Sequence, residues 1–204
     1  MKKLILSSAG FRNPKVKAEF FKLAGKKPET IRILFIPTAS RYEGELKYVE
    51  SDKKNFLDSG IRKENIITFD SEKPLVDKDL KNIDVVWVCG GNTFYLLKKM
   101  RETGMDKKIT ELVNNGALYF GVSAGSLLAG PDIAMAEPFD ENDVHLQDFT
   151  ALSLTKTSVS PHYNQKEKSV VDSLVKKLAP RFKVIPLTDE QALEVLDDKE
   201  MVIE

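Results

Sequence analysis

Ser123 stands in Gly121-Val122-Ser123-Ala124-Gly125, between an apolar run at 117–122 and the helix-forming stretch Ser126-Leu127-Leu128-Ala129. Glycines on both sides permit a strained strand-to-helix turn that lifts the hydroxyl above a sheet edge and leaves the next amide free to bind an oxyanion. The helix N-terminus adds partial positive charge where negative charge would develop. Ser126 is a second hydroxyl, one turn into the helix, where packing or local backbone bonding is the expected role. A second glycine turn, Cys89-Gly90-Gly91-Asn92-Thr93-Phe94, follows the apolar run 85–88. Asn92 or Thr93 can cap the helix after it, and the Gly91 N–H is the expected second oxyanion donor, opposite that of Ala124. A serine needs a base, and the chain has only two histidines. His162, in Ser160-Pro161-His162-Tyr163-Asn164, falls at a strand end and is the candidate; His145 lies in a polar loop and is expected to face solvent. The orienting acid is sought among Asp132, Glu137, Asp140, Glu141 and Asp143, which give the chain order serine, acid, histidine. Glu137 is preferred and Asp140 comes next. Gly90, Asn92, Tyr163 and Asn164 are the expected substrate contacts. Asp189-Glu190-Gln191 reads first as a turn before a strand, and only second as pocket lining.

These residues must be held by a scaffold, and short β-branched or apolar runs alternate with helical patterns as in a parallel sheet covered on both faces. Strands are expected at 3–6, 31–36, 65–69, 85–88, 117–122, 149–154, 157–160, 182–187 and 192–196, and helices at 13–23, 43–59 and 93–101. Val171, Leu174, Val175 and Leu178 place a further helix after His162 by their spacing of three and four. Asn13-Pro14 opens the first helix and Gly60 stops the second. The loop Glu137-Pro138-Phe139-Asp140-Glu141-Asn142-Asp143 reads as an excursion from the sheet. At 204 residues, without repeat or linker, the chain reads as one domain, 1–204. Thirty-one basic and 31 acidic residues cancel, which removes the electrostatic case for nucleic acid or an anionic membrane. No run approaches the ~20 apolar residues of a membrane span, and the lone Cys89 suits a reducing compartment, so a soluble cytoplasmic protein is expected. No metal or other cofactor is expected, since two distant histidines make a weak ligand set. A homodimer is compatible with the sequence.

At Gly90-Gly91-Asn92-Thr93-Phe94, Gly121-Val122-Ser123-Ala124-Gly125-Ser126, Ala129-Gly130-Pro131 and Pro161-His162-Tyr163-Asn164, the chain resembles the dipeptidase E family of serine peptidases, which includes aspartyl dipeptidases and cyanophycinase relatives. The resemblance implies a single-domain three-layer α/β/α fold with a flavodoxin-like parallel sheet, similar to class I glutamine amidotransferases but with serine at their cysteine position. It implies Ser123 as nucleophile, His162 as base, an acid from the following loop, an oxyanion hole at Gly91 and Ala124, and metal-free cleavage of short peptides at N-terminal aspartyl residues. The arginine expected after the histidine in aspartyl dipeptidases has no counterpart: Asn164-Gln165-Lys166-Glu167-Lys168 follows, and the next arginine is Arg181. An esterase or amidase on a non-peptide substrate, and a non-catalytic anion-binding module on the same scaffold, are the competing expectations.

Overall fold

The computed structural model describes all of residues 1–204 except 43, 45, 70 and 72–77. The strands are β1 (Lys3–Ser7), β2 (Ile33–Ile36), β3 (Ile66–Thr68), β4 (Val85–Val88), β5 (Leu118–Val122), β6 (Thr157–Ser160), β7 (Lys183–Pro186), β8 (Ala192–Leu196) and β9 (Lys199–Ile203). The α-helices are α1 (Pro14–Ala24), α2 (Thr38–Tyr42), α3 (Leu46–Asp58), α4 (Thr93–Thr103), α5 (Met105–Asn114), α6 (Ala124–Leu128) and α7 (Lys168–Leu178).

Seven strands form one sheet in the order β3-β2-β4-β5-β1-β8-β9, and β6 pairs with β7 in a separate parallel pair. The first five strands are parallel, while β8 runs against β1 and β9 against β8. The run β3-β2-β4-β5 has the flavodoxin-like pattern, with β1 taking the fifth place. Alternation along the strands divides the core. Leu4, Leu6, Leu34, Ile36, Val86, Val88 and Tyr119 face α4, α5 and α6, whereas Ile5, Ile33, Phe35, Trp87 and Phe120 face α1 and α3. The result is the three-layer α/β/α fold. On the second face Trp87 and Phe120 stack with centroids 4.0 Å apart and planes at 2°.

Capping chemistry sets the helix starts. Asn13 Oδ1 accepts the Lys15 N–H at 2.8 Å, with Pro14 first in α1, and Asn92 Oδ1 accepts the Tyr95 N–H at 2.9 Å to open α4. The helix expected over 43–59 forms as α3 over 46–58, and the short α2 that precedes it, separated by Gly44 at φ 72°, was not expected; Glu43 and Glu45 lie outside the described residues. α5 was not expected, although Met105, Ile109 and Val113 bury one stripe at intervals of four. β9 was also not expected: it is a short strand at the sheet edge, opened by the charged pair Lys199 and Glu200 and with Met201 left exposed. No strand forms over 149–154. Its amides go to the segment around the end of α6: Leu152 N–H to Leu128 O, Ser153 N–H to Gly130 O and Leu154 N–H to Ala129 O. Among the described residues no helix is long and apolar enough to cross a membrane.

Candidate active site

Every loop at the carboxyl ends of β1, β2, β4 and β5 contributes to one cleft, where an α/β sheet of this order opens a crevice. Ser123 follows β5 with φ 49° and ψ −111°, a conformation that non-glycine residues adopt rarely. It is over-determined by its surroundings: the Ser123 N–H donates to Ser7 O at 3.0 Å, and α6 begins at the next residue. The flanking glycines are required by contact. A Cβ on Gly121 would lie 2.5 Å from Gly125 O, and one on Gly125 would lie 2.2 Å from Val88 O. The turn therefore packs backbone on backbone against β4, and the hydroxyl is left above it. Ser126 Oγ is buried and donates to Ser7 O at 2.8 Å, the structural role expected of it.

His162 and Asp189 arrive together from the small sheet. β6 and β7 run parallel with Ser160 opposite Pro186, and Tyr163 N–H to Leu187 O and Leu187 N–H to Ser160 O extend the pairing past their ends. His162 follows β6 at φ 59°, and Asp189 follows β7 in a turn closed by Thr188 N–H to Gln191 Oε1 at 3.0 Å. His162 Nε2 lies 2.9 Å from Ser123 Oγ, and its Nδ1 lies 2.7 Å from Asp189 Oδ1. A carboxylate can only accept, so the ring carries its proton on Nδ1 and leaves Nε2 to take the serine proton. Ser8, at the end of β1, joins the two: its hydroxyl accepts the His162 backbone N–H at 2.8 Å and donates to Asp189 Oδ1 at 3.3 Å. Arg12 Nη1 reaches Asp189 Oδ2 at 3.1 Å and its Nε reaches Glu190 at 2.7 Å.

Glu137 and Asp140 are not beside the histidine. Asp140 Oδ2 accepts the Thr93 N–H at 2.7 Å, and Asn92 Nδ2 donates to Glu141 O at 2.8 Å, so the acidic loop docks on the positive N-terminus of α4. Glu137 is exposed and borders a surface hollow with Ser169, Ser173 and Lys177 of α7. The acid in contact with His162 is Asp189, and the chain order is serine, histidine, acid. The serine-acid-histidine order points to the acidic loop, which the structure docks on α4 instead. The available signal was symmetry: Asp189 follows its strand as closely as His162 follows its own. Ser8 was missed for want of any motif around it. Three expected substrate contacts are likewise committed elsewhere. Asn92 caps α4 and ties down the acidic loop, the Tyr163 hydroxyl bonds Asp172 and Lys168, and Asn164 bonds His162 O and Glu167. His145 is exposed in its loop, as expected.

Two cavities meet at the reactive atoms and share Gly91, Ser123 and His162. The larger, about 520 Å³, runs under Ser8, Gly10 and Arg12 to Asp52 and Gly90; the smaller, about 380 Å³, is bordered by Leu127, Met135, Phe139 and Asp140. Ser40 Oγ donates to Gly90 O at 2.6 Å and fixes the glycine turn, while Gly91 at φ 117° passes so close to α2 that a Cβ would lie 2.4 Å from Ala39 C. Among the described residues neither the Gly91 nor the Ala124 N–H donates to a backbone carbonyl outside its own element. Burial pushes the Cys89 thiol up, and it stands under the glycine turn as a buried side chain. Among the described residues no cluster of three or more metal-ligating side chains occurs.

A serine on a strained turn, a histidine at its hydroxyl and a carboxylate behind the histidine define a serine hydrolase constellation. The family model of peptidase family S51 matches residues 4–203, and the chain belongs to that family of serine peptidases. An uncharacterized peptidase of Listeria monocytogenes is 36% identical over 165 residues, covering 79% of this chain and 80% of that one. Peptidase E of Escherichia coli is 38% identical over 120 residues, 54% of this chain and 51% of that one. A crystal structure from Listeria monocytogenes, provisionally described as a peptidase E protein, superposes with TM-score 0.82 at 30% identity, covering 100% of this chain and 98% of that one.

Proposed function

We propose that this serine peptidase hydrolyses short peptides through an acyl-enzyme, with Ser123 as nucleophile, His162 as general base and acid, and Asp189 as the group that orients the ring. The observation that carries this is the unbroken chain Ser123 Oγ, His162 Nε2, His162 Nδ1, Asp189 Oδ1, with steps of 2.9 and 2.7 Å. Ser123 Oγ attacks the scissile carbonyl carbon as its proton passes to His162 Nε2. The oxyanion is held by the N–H groups of Gly91 and Ala124. Collapse breaks the C–N bond, and His162 returns the proton to the departing amine. Water then attacks the Ser123 ester by the same route, which frees the acid and restores the hydroxyl. The cytoplasm is the compartment in keeping with a single reduced thiol.

N-terminal aspartate is one candidate acyl residue, with Arg12 as the one arginine lining the larger cavity. That guanidinium is already engaged by Asp189 and Glu190, so a strict aspartate requirement is not part of the proposal. The test is amino-acid release from Asp-X, Ala-X, Lys-X and β-aspartyl dipeptides, in the presence of chelator, by wild type and Ser123→Ala. A fall in kcat of about 10⁴-fold or more is expected for the variant. Retained activity in Ser123→Ala would overturn the assignment.

A further inference from the structure

The wall of the larger cavity holds a carboxylate that the hydrolytic chemistry does not use. Asp52, on α3, is partly buried and lines the same cavity as Ser123 and His162. Trp87 Nε1 donates to its Oδ2 at 3.0 Å and Cys89 Sγ approaches the same oxygen at 3.6 Å. Among the described residues no hydrogen bond is made to Oδ1, which lies beside Gly10; a Cβ on Gly10 would lie 3.6 Å from it. Among the described residues no cationic side chain is paired with it, and burial pushes the pKa up to about 6. The two nearby cations have other commitments: Lys53 reaches over the Phe35 ring at 5.6 Å, and Arg12 is paired with Asp189 and Glu190. A desolvated carboxylate with one oxygen held and the other open toward a cavity is costly to maintain, and an entering cation relieves that cost.

We infer that Asp52 is a specificity-determining residue that accepts a substrate ammonium group in the cavity beside Ser123. This deepens the hydrolytic reading and rests on it for the word substrate; the binding itself does not depend on turnover. The geometry fits an ammonium because both donors already present converge on Oδ2, leaving Oδ1 as an acceptor-only atom. Gly10 leaves room for the approach, and Ser51 and Asn55, one helix face with Asp52, offer further polar atoms on the wall. An acidic substrate group in this place would meet like charge. The ammonium has two sources in a peptide, a free α-amino terminus or a basic side chain.

Trp87 is the chain's only tryptophan and is bonded to Asp52, so its fluorescence reports occupancy without catalysis. Titration with lysine amide, norleucine amide, Nα-acetyl-lysine amide and Nα-acetyl-norleucine amide separates the sources, since the last carries no ammonium. At least one kind of ammonium is expected to bind about tenfold or more tightly than the last ligand, and Asp52→Asn is expected to erase the difference. Preference for norleucine amide over its acetylated form assigns the α-amine; preference for acetyl-lysine amide over acetyl-norleucine amide assigns the side chain. Equal binding of all four by wild type, or discrimination surviving in Asp52→Asn, overturns the inference, and the wild-type series decides even if the variant folds poorly. In parallel, an uncharged phosphonylating reagent should label Ser123 in both proteins. Absence of label with ammonium discrimination intact overturns the hydrolytic reading alone; label without discrimination overturns the subsite alone.

Discussion

Asp52 and Asp132 are both withdrawn from bulk water, yet their surroundings differ in kind. Asp132 is saturated: Oδ1 accepts the Ala134 N–H at 2.7 Å and Oδ2 accepts from Arg181, just past α7. Its backbone also bridges to Thr150, so it fastens the excursion after α6 to the rest of the fold. Asp52 has two weakly acidic donors on one oxygen, no cationic partner among the described residues, and a cavity beside it. A carboxylate used for architecture is closed by its own chain, whereas one left open beside reactive atoms is completed by something from outside.

Asp189 tests that division most severely, because it is paired with Arg12 in the manner of Asp132 and lines the cavity in the manner of Asp52. If it belongs to the site, Asp189→Asn should lower kcat by about 10³–10⁴-fold by favouring the wrong histidine tautomer, with little change in melting temperature. A large thermal loss with kcat nearly intact would move Asp189 to the architectural class. Asp132→Ala should do the opposite. Removing a buried acceptor leaves the Ala134 N–H and Arg181 without it, a loss of about 2 kcal/mol after allowance for the exposure of Arg181. Thermal unfolding should shift down by roughly 4–8 °C, while kcat per folded molecule stays within about twofold.

Asp52 is expected to be the exception among buried-group substitutions, because replacing it should stabilise the free protein. Its pKa is raised from 3.8 to about 6, so between those values the native state holds more protons than the unfolded chain, and stability falls as pH rises. Below the lower value the penalty is absent; above the upper value it is fully present. Asp52→Asn should therefore match wild type near pH 3.5 and exceed it at pH 7–8 by about 1–3 kcal/mol, the larger figure being about two pKa units at 1.36 kcal/mol each. Urea unfolding at several pH values gives the difference directly. A variant less stable than wild type at pH 8 would place Asp52 with Asp132.

Much of this site is legible in the sequence. The Ser123 turn announces itself because backbone crossing demands glycine at 121 and 125, and His162 had one rival. The seven strands at 3–6, 65–69, 85–88, 117–122, 157–160, 182–187 and 192–196 lie within about a residue of their places. What could not be read were contacts set by tertiary approach. Asp189 lies 27 positions beyond His162 and meets it because β6 and β7 pair. Ser8 and Asp52 carry no local motif: one is placed by β1 ending at the cleft, the other by α3 packing over Trp87. The segment 149–154 has a strand's composition, but its amides are taken by carbonyls around the end of α6, a competition that local pattern does not record.

The smallest effect separates resting from working geometry in the acidic loop. Glu137 is exposed and carries its backbone N–H to Ala134 O, so Glu137→Gln should change stability by less than about 0.5 kcal/mol and kcat by less than about twofold. Asp140→Ala should cost about 1 kcal/mol, since it removes the carboxylate that meets the Thr93 N–H at the start of α4. The two together bracket the loop as a helix cap rather than a source of catalytic acid. Should Glu137→Gln lose activity on the scale expected of Asp189→Asn, the loop must leave its dock on α4 during turnover to reach His162. Asp189 would then be the acid of the resting state only, and the division between closed and open carboxylates would have to be drawn on the working conformation.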